Sequence, residues 1–256
     1  MAQPTQSDPR AEIANRTLTA RMEPFDSFWE GPADIEKGYR TFFEFYRRNY
    51  LPHIPPDKAS RILVVSCGPG YFVDMLVRHG YTNVKGIDSI PAQIEHAKRR
   101  GLNCEVGQAF PYIAAIDAEL DVIMCEQEFN HLTKDEILDF LELCRAALAP
   151  GGTLIGHALN GANPITGAEA LAQNFDHYNT FTDYTFNQVL EHSGFENIRV
   201  LPLNLYVFYK NPFNWVAWGV SSFLTLCFRA AFTLYGKTAN IFTKKLAAVC
   251  TKPRSA

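Results

Sequence analysis

Four consecutive apolar residues, Ile62-Leu63-Val64-Val65, stand between Arg61 and Ser66 and predict a strand buried on both faces. Cys67-Gly68-Pro69-Gly70 follows, where glycines permit a tight turn and a close approach of a ligand to the backbone. From Tyr71 to Gly80 the apolar positions Phe72, Val73, Leu76 and Val77 return at helical spacing, so a helix is expected there. Asn83 to Ile87 reads as a second strand closed by Asp88. A carboxylate at that strand end is placed to accept hydrogen bonds from both hydroxyls of a ribose. Strand, glycine turn, helix and strand make half of a doubly wound α/β sheet with an adenosine cofactor across its edge. A dinucleotide would want a third glycine where this chain has Val73, so the pattern fits a cofactor without phosphates.

Upstream, residues 21–52 are dense in aromatics, and Tyr39, Phe42, Phe43 and Tyr46 mark one helical face. One reading is a helix packed on the sheet. The other is a lid over the cofactor pocket, with Trp29 or Tyr39 touching cofactor or acceptor and excluding water.

Further segments, in order, make the chain resemble the class I S-adenosylmethionine (SAM) dependent methyltransferases over roughly residues 60–200. The family's second-strand motif is matched by Gly86-Ile87-Asp88-Ser89, its adenine-side segment by Cys104 to Pro111, and its fourth strand by Leu120 to Glu126 running into Asn130-His131-Leu132. A helix from Lys134 to Ala149 leads through the turn Pro150-Gly151-Gly152 into a fifth strand at Thr153-Leu154-Ile155, and Leu190 to Phe195 announces a sixth. Ser66, Phe72 and Gln108 depart from the family, which usually has an acidic residue, a glycine and an acidic residue there.

The resemblance implies a Rossmann-like doubly wound seven-stranded sheet, mostly parallel with an antiparallel last strand and helices on both faces, with an N-terminal helical lid and a helical insertion before the last strand. The expected division is a disordered lead-in at 1–20, an N-terminal helical segment at 21–58, the SAM-binding core at 59–205, an apolar helical insertion at 206–242, and the last strand and tail at 243–256. SAM is the implied cofactor. Ser66, Gly68, Gly70 and Asp88 would hold it, with Ser89, Gln108 and Ala109 near the adenine and Cys125 and Glu126 near the sulfonium. A general base, where the acceptor must lose a proton, is expected after strand four, with His131 as first candidate and Glu128 as second. The connection after strand five, read here as starting at Gly156-His157, carries Asn, Asp, His and Tyr that suit a hydroxylated acceptor. Methylation of an oxygen on a small polar or lipid-linked acceptor, such as a glycan or glycolipid, is the first expectation. Carbon methylation of a quinone-like lipid and a SAM-binding non-catalytic partner are the alternatives.

Between Pro212 and Tyr235 the only charged residue is Arg229, and on a helix Trp218, Ser222, Thr225, Arg229 and Thr233 share one narrow stripe. A membrane-spanning helix would separate the strand Lys245 to Cys250 from the strand near Ile198 to Leu205, its partner in the family; an insertion returning to the same face avoids this. Three uses stay open. The helix could lie in a membrane interface, with Trp215 and Trp218 at headgroup depth and Lys237, Lys244 and Lys245 meeting anionic lipid. It could bury its face in a homodimer, or cover the acceptor pocket.

Composition narrows the rest. A chain of 256 residues with a net charge of −3 has no basic excess for nucleic acid. Its six cysteines show no metal-ligand spacing, so no metal is expected, and they read as thiols of a reducing cytosol. Met1 to Arg16 is polar and is read as neither signal nor anchor. A cytoplasmic protein is expected, peripheral on the inner face of a membrane if the insertion lies there.

Overall fold

The first strand, β1 (Ile62–Val65), is buried at all four positions because it runs through the middle of the sheet. It pairs in parallel with β2 (Val84–Asp88) on one side and with β4 (Leu120–Cys125) on the other. Beyond β2 lies β3 (Cys104–Val106), and beyond β4 lies β5 (Leu148–Leu159). The order is β3-β2-β1-β4-β5-β7-β6, with β7 (Lys245–Thr251) antiparallel to both β5 and β6 (Glu196–Leu203). This is the expected seven-stranded, mostly parallel sheet. The chain direction across it reverses between β1 and β4, where a doubly wound sheet opens its ligand crevice.

The computed structural model describes residues 35–117, 119–125, 128–172, 174–175, 177–203 and 212–254, without the side chains of Glu128 and Pro212. The expected lead-in, Trp29 and Glu126 lie outside the described residues.

Alternation along the strands divides the core. Leu63, Val65, Ile123 and Cys125 face a cluster with Phe129, Phe140 and Phe186, closed by α4 (Ala109–Ala114), α6 (Lys134–Ala147) and α8 (Asp183–His192). Thr133 caps α6, accepting from the Glu136 amide while the Glu136 carboxylate accepts from the Thr133 amide at 2.8 Å. On the opposite face Ile62, Val64, Val122 and Met124 meet α1 (Ile35–Asn49), α2 (Tyr71–Arg78) and α3 (Pro91–Arg99). The aromatic face of α1 packs mainly on α2 and not directly on the sheet, with Tyr46 against Phe72 and Phe42 stacked on Tyr71, and it buries Tyr39, Phe45 and Tyr46. Gly38 in α1 leaves room for Tyr71, whose hydroxyl a Cβ there would strike. Between β4 and α6 runs the short α5 (Glu128–His131), and α7 (Gly167–Ala172) follows β5.

Two expectations about β5 are corrected. Pro150-Gly151-Gly152 does not separate helix from strand: β5 starts at Leu148, and the glycines form an irregularity within it. Gly151, at φ +80°, donates its amide to the Lys252 carbonyl, and the Lys252 amide donates to Gly152. The strand also runs on to Leu159, because β7 pairs with it as far as Lys245 opposite Leu159. Gly156 and His157 are therefore strand residues and not the start of a loop.

The 23-residue helix α9 (Pro212–Leu234) stands between β6 and β7. Leu203 and Lys245 are paired across those strands, so the excursion leaves and rejoins the sheet at neighbouring points. Asn160 is wholly buried; its amide donates to the carbonyls of Ile241 and Thr243 at 2.9 and 2.8 Å, while its oxygen accepts from the Ala162 amide at 2.9 Å. The segment after β5 is thereby clamped to the chain returning from α9.

Candidate active site

The turn after β1 is shaped by three left-handed residues, Ser66 (φ +54°), Gly68 (φ +53°) and Gly70 (φ +83°), separated by Cys67 and Pro69, which are not. The Cys67 amide donates to the Ile87 carbonyl, the Gly68 amide to Asp88 and the Gly70 amide to the Cys67 carbonyl, and Pro69 has none, so what the turn offers a ligand is a close approach to the backbone. Space is open in front of Gly68, where an added Cβ would meet nothing within 4 Å. Gly70 is tight instead: a Cβ there would lie 3.0 Å from Leu102 Cδ1. It also stands at the N-cap of α2.

Asp88, at the end of β2, is 8% exposed. Its Oδ2 accepts from the Gly68 amide at 2.8 Å and its Oδ1 from the Ile90 amide at 2.9 Å. Burial pushes its pKa above the ordinary carboxylate value, and these two hydrogen bonds pull it back. One lone pair on each oxygen is spoken for, and the other suits a ribose hydroxyl. A carboxylate, a glycine turn of alternating handedness and open space before Gly68 together fit a ribose-bearing cofactor without phosphates, as SAM is.

Ser89 is exposed beside Asp88, and Gln108 is exposed at the N-cap of α4, whose first residue is Ala109. Cys125 ends β4 with its side chain wholly buried among the first core cluster. Glu128 opens α5, and His131 closes it. The structure brings Ser66, Gly68, Gly70 and Asp88 together at the β1–β2 edge. Over this turn sits α1, with the Tyr39 hydroxyl donating to the Pro69 carbonyl and the Arg100 guanidinium 3.8 Å from the Tyr39 ring centre. The helix is thus both packed on α2 and laid against the cofactor turn.

Beyond the ends of β4 and β5, the chain after β5 is latched to α5. The Asn130 carbonyl accepts from the amides of Tyr178 and Asn179 at 2.8 and 3.3 Å, and the Asn130 side chain accepts from the Leu159 amide at 3.0 Å. Asn179 donates in turn to the Leu132 carbonyl. This brings His177 edge-on to His131, with ring centres 4.9 Å apart. His177 Nδ1 donates to the Ala170 carbonyl at 2.8 Å, so the neutral ring carries its acceptor at Nε2.

One buried histidine belongs to neither group. His157 in β5 is 4% exposed; its Nδ1 lies 3.1 Å from the Tyr50 hydroxyl, and its Nε2 has no hydrogen-bond partner among the described residues. Burial, with the Lys245 charge second, holds its pKa well below the ordinary value. The folded state therefore favours the neutral ring. Its contribution to stability is complete above the unfolded pKa of about 6.5 and is lost as the pH falls below it, by at most about 1.4 kcal/mol per pH unit. Urea denaturation at pH 7.5 and 5.5 should show a smaller acid loss for His157→Leu than for the parent; equal losses would refute the assignment.

Residues 62–152 match a family model described as a methyltransferase domain. A ubiquinone biosynthesis O-methyltransferase of Roseobacter denitrificans is 29% identical over 182 residues, 65% of this chain and 69% of that protein. One from Cereibacter sphaeroides is 31% identical over 121 residues, 45% of this chain and 47% of that protein, so the match spans about half that relative's length. Among solved structures, a SAM-dependent methyltransferase from Archaeoglobus fulgidus shares the fold at TM-score 0.63 and 18% identity, over 85% of this chain and 98% of that one. Phosphoethanolamine N-methyltransferase 2 of Haemonchus contortus, solved with SAM, does so at TM-score 0.55 and 13% identity, over 97% and 60%. From the glycine turn and Asp88 to the antiparallel seventh strand, the chain has the fold of the class I SAM-dependent methyltransferases and carries a methyltransferase domain, with SAM as its cofactor.

Proposed function

We propose that the chain methylates an oxygen of a small hydroxylated or lipid-linked acceptor held above the ends of β4 and β5, with His131 as the general base. The observation that carries this reading is the latch through Asn130, which sets His131 against His177 on the acceptor side. SAM supplies a methyl on a sulfonium, open to in-line displacement. The chain's own work is to orient the acceptor, keep water out and take the hydroxyl proton. Asp88 would hold the ribose, and Ser66, Gly68 and Gly70 the methionine end. Ser89, Gln108 and Ala109 would border the adenine, with Cys125 and Glu126 toward the sulfonium. Glu128, on the same short helix as His131, is the second candidate for the base.

The names of the relatives, O-methyltransferases of ubiquinone biosynthesis, support an oxygen acceptor and favour a hydroxylated ring with a lipid tail over a free sugar. Carbon methylation of such a ring would share the pocket but require no proton to leave a hydroxyl.

Product formation from SAM should be followed with prenylated hydroxy-aromatic rings and with sugars as acceptors. Turnover is expected on the rings, and His131→Gln should lower kcat about a hundredfold with KM for SAM unchanged. Full activity of both His131→Gln and Glu128→Gln would overturn the base assignment and favour carbon methylation.

A further inference from the structure

All 27 Asp and Glu residues of the chain stand at or before Glu196. The 60 residues after it hold eight Lys and Arg and no acidic residue, although the chain as a whole carries −3. Within that basic stretch lies α9, none of whose described side chains, Phe213 to Leu234, is buried. Its less exposed positions, including Ala217, Ser221, Leu224, Phe228 and Phe232, recur at helical spacing and form the inner stripe. Phe228 and Phe232 meet the buried Phe242. The outer face is the reverse: Val216, Phe223 and Leu226 are each more than 60% exposed, with Trp218 at its border. Arg229, also at that border, donates from Nε to the Asn240 carbonyl at 2.8 Å.

We propose that the outer face of α9 docks on an anionic lipid surface, lying in the interface with its axis along it. The helix is about 34 Å long at 1.5 Å per residue, enough to cross a bilayer. The return of the chain to the sheet rules out crossing. The Lys237 amide donates to the Phe232 carbonyl, and the backbone turns back within a few residues to Phe242 at the sheet. A spanning helix would strand Lys237 on the far side from a strand it must rejoin at Lys245. An interfacial helix needs an apolar face, indole rings at its border and cationic neighbours for the headgroups, and α9 with its flanks has all three. A second copy packed face to face would instead bring two wholly basic segments together.

Full-length protein should be sedimented with vesicles of phosphatidylcholine alone and of phosphatidylcholine with phosphatidylglycerol. Binding is expected on the anionic vesicles, weaker on the neutral ones and weakened by salt. Val216→Ser/Phe223→Ser/Leu226→Ser alters only exposed positions, so the fold should hold, and it should weaken vesicle binding by about tenfold or more. Lys237→Glu should lower binding to anionic vesicles and leave that to neutral vesicles unchanged. No vesicle binding, equal binding by parent and triple variant, or a dimer lost in the triple variant without any lipid binding would each overturn the proposal. None of these readings depends on methyl transfer, so failure here leaves the acceptor assignment standing, and the converse.

Discussion

Asp88→Ala should lose SAM affinity by about 3 to 4 kcal/mol, the sum of two charge-assisted hydrogen bonds to the ribose at ~1.5–2 kcal/mol each. The same substitution removes the acceptors of the Gly68 and Ile90 amides. Unfolding should then come easier by roughly 1–3 kcal/mol, the cost of an unsatisfied buried donor. Two deficits from one side chain distinguish this site from an ordinary ribose contact. Asp88→Asn separates them, since its amide oxygen keeps one backbone donor satisfied while the charge is gone. Calorimetric titration with SAM and with its demethylated product, beside urea denaturation of the ligand-free protein, measures both. A variant that binds SAM within threefold of the parent would remove Asp88 from the cofactor site.

Phe129→Ala should be the more damaging change to the fold, by about 3–5 kcal/mol. The ring is wholly buried and meets Phe140, Phe181 and Phe186 edge-on at centre distances of 5.7, 5.9 and 5.6 Å. It also lies on the backbone of Gly156, where an added Cβ would come within 2.7 Å of Cε2. Because Phe129 precedes Asn130 and His131 in α5, the cavity left by its loss opens beneath the latch that positions the proposed base. Activity should therefore fall further than the folded fraction does. Phe129→Leu keeps most of the volume and should cost less than half as much. A midpoint shift in urea worth under 1 kcal/mol for Phe129→Ala would mean that α5 is held by other contacts.

The cofactor half of the site is legible in the residues because its geometry is local. A buried strand, two glycines that tolerate positive φ and a carboxylate at the next strand end are set by neighbours in the sequence. That Asp88 also accepts from two backbone amides is not legible, since those donors depend on how the turn closes over β2. The proposed acceptor half is hidden for a different reason. His131 and His177 meet through backbone hydrogen bonds to Asn130, with no periodicity to betray the pairing, and the same holds outside that site for Tyr50, which reaches His157 across 107 positions. The extent of β5 escapes the sequence because its pairing is non-local. Pro150-Gly151-Gly152 carries the signature of a turn; β4 pairs with Leu148 before it, and β7, arriving about a hundred residues later, carries the ladder from Thr153 to Leu159 after it. In α9 the apolar run is plain, but the stripe that reads as its polar face is not the one that meets the body: Trp218 and Arg229 border the exposed side while Phe228 and Phe232 turn inward.

The clamp at Asn160 carries a thermodynamic obligation. One side chain holds both the segment proposed to border the acceptor and the chain that returns from α9. By whatever factor attachment at α9 raises affinity for the acceptor, a bound acceptor must raise the strength of attachment. If α9 docks as proposed and that factor exceeds one, the protein would stay longest on its surface while its substrate is present and leave it soonest once the substrate is spent.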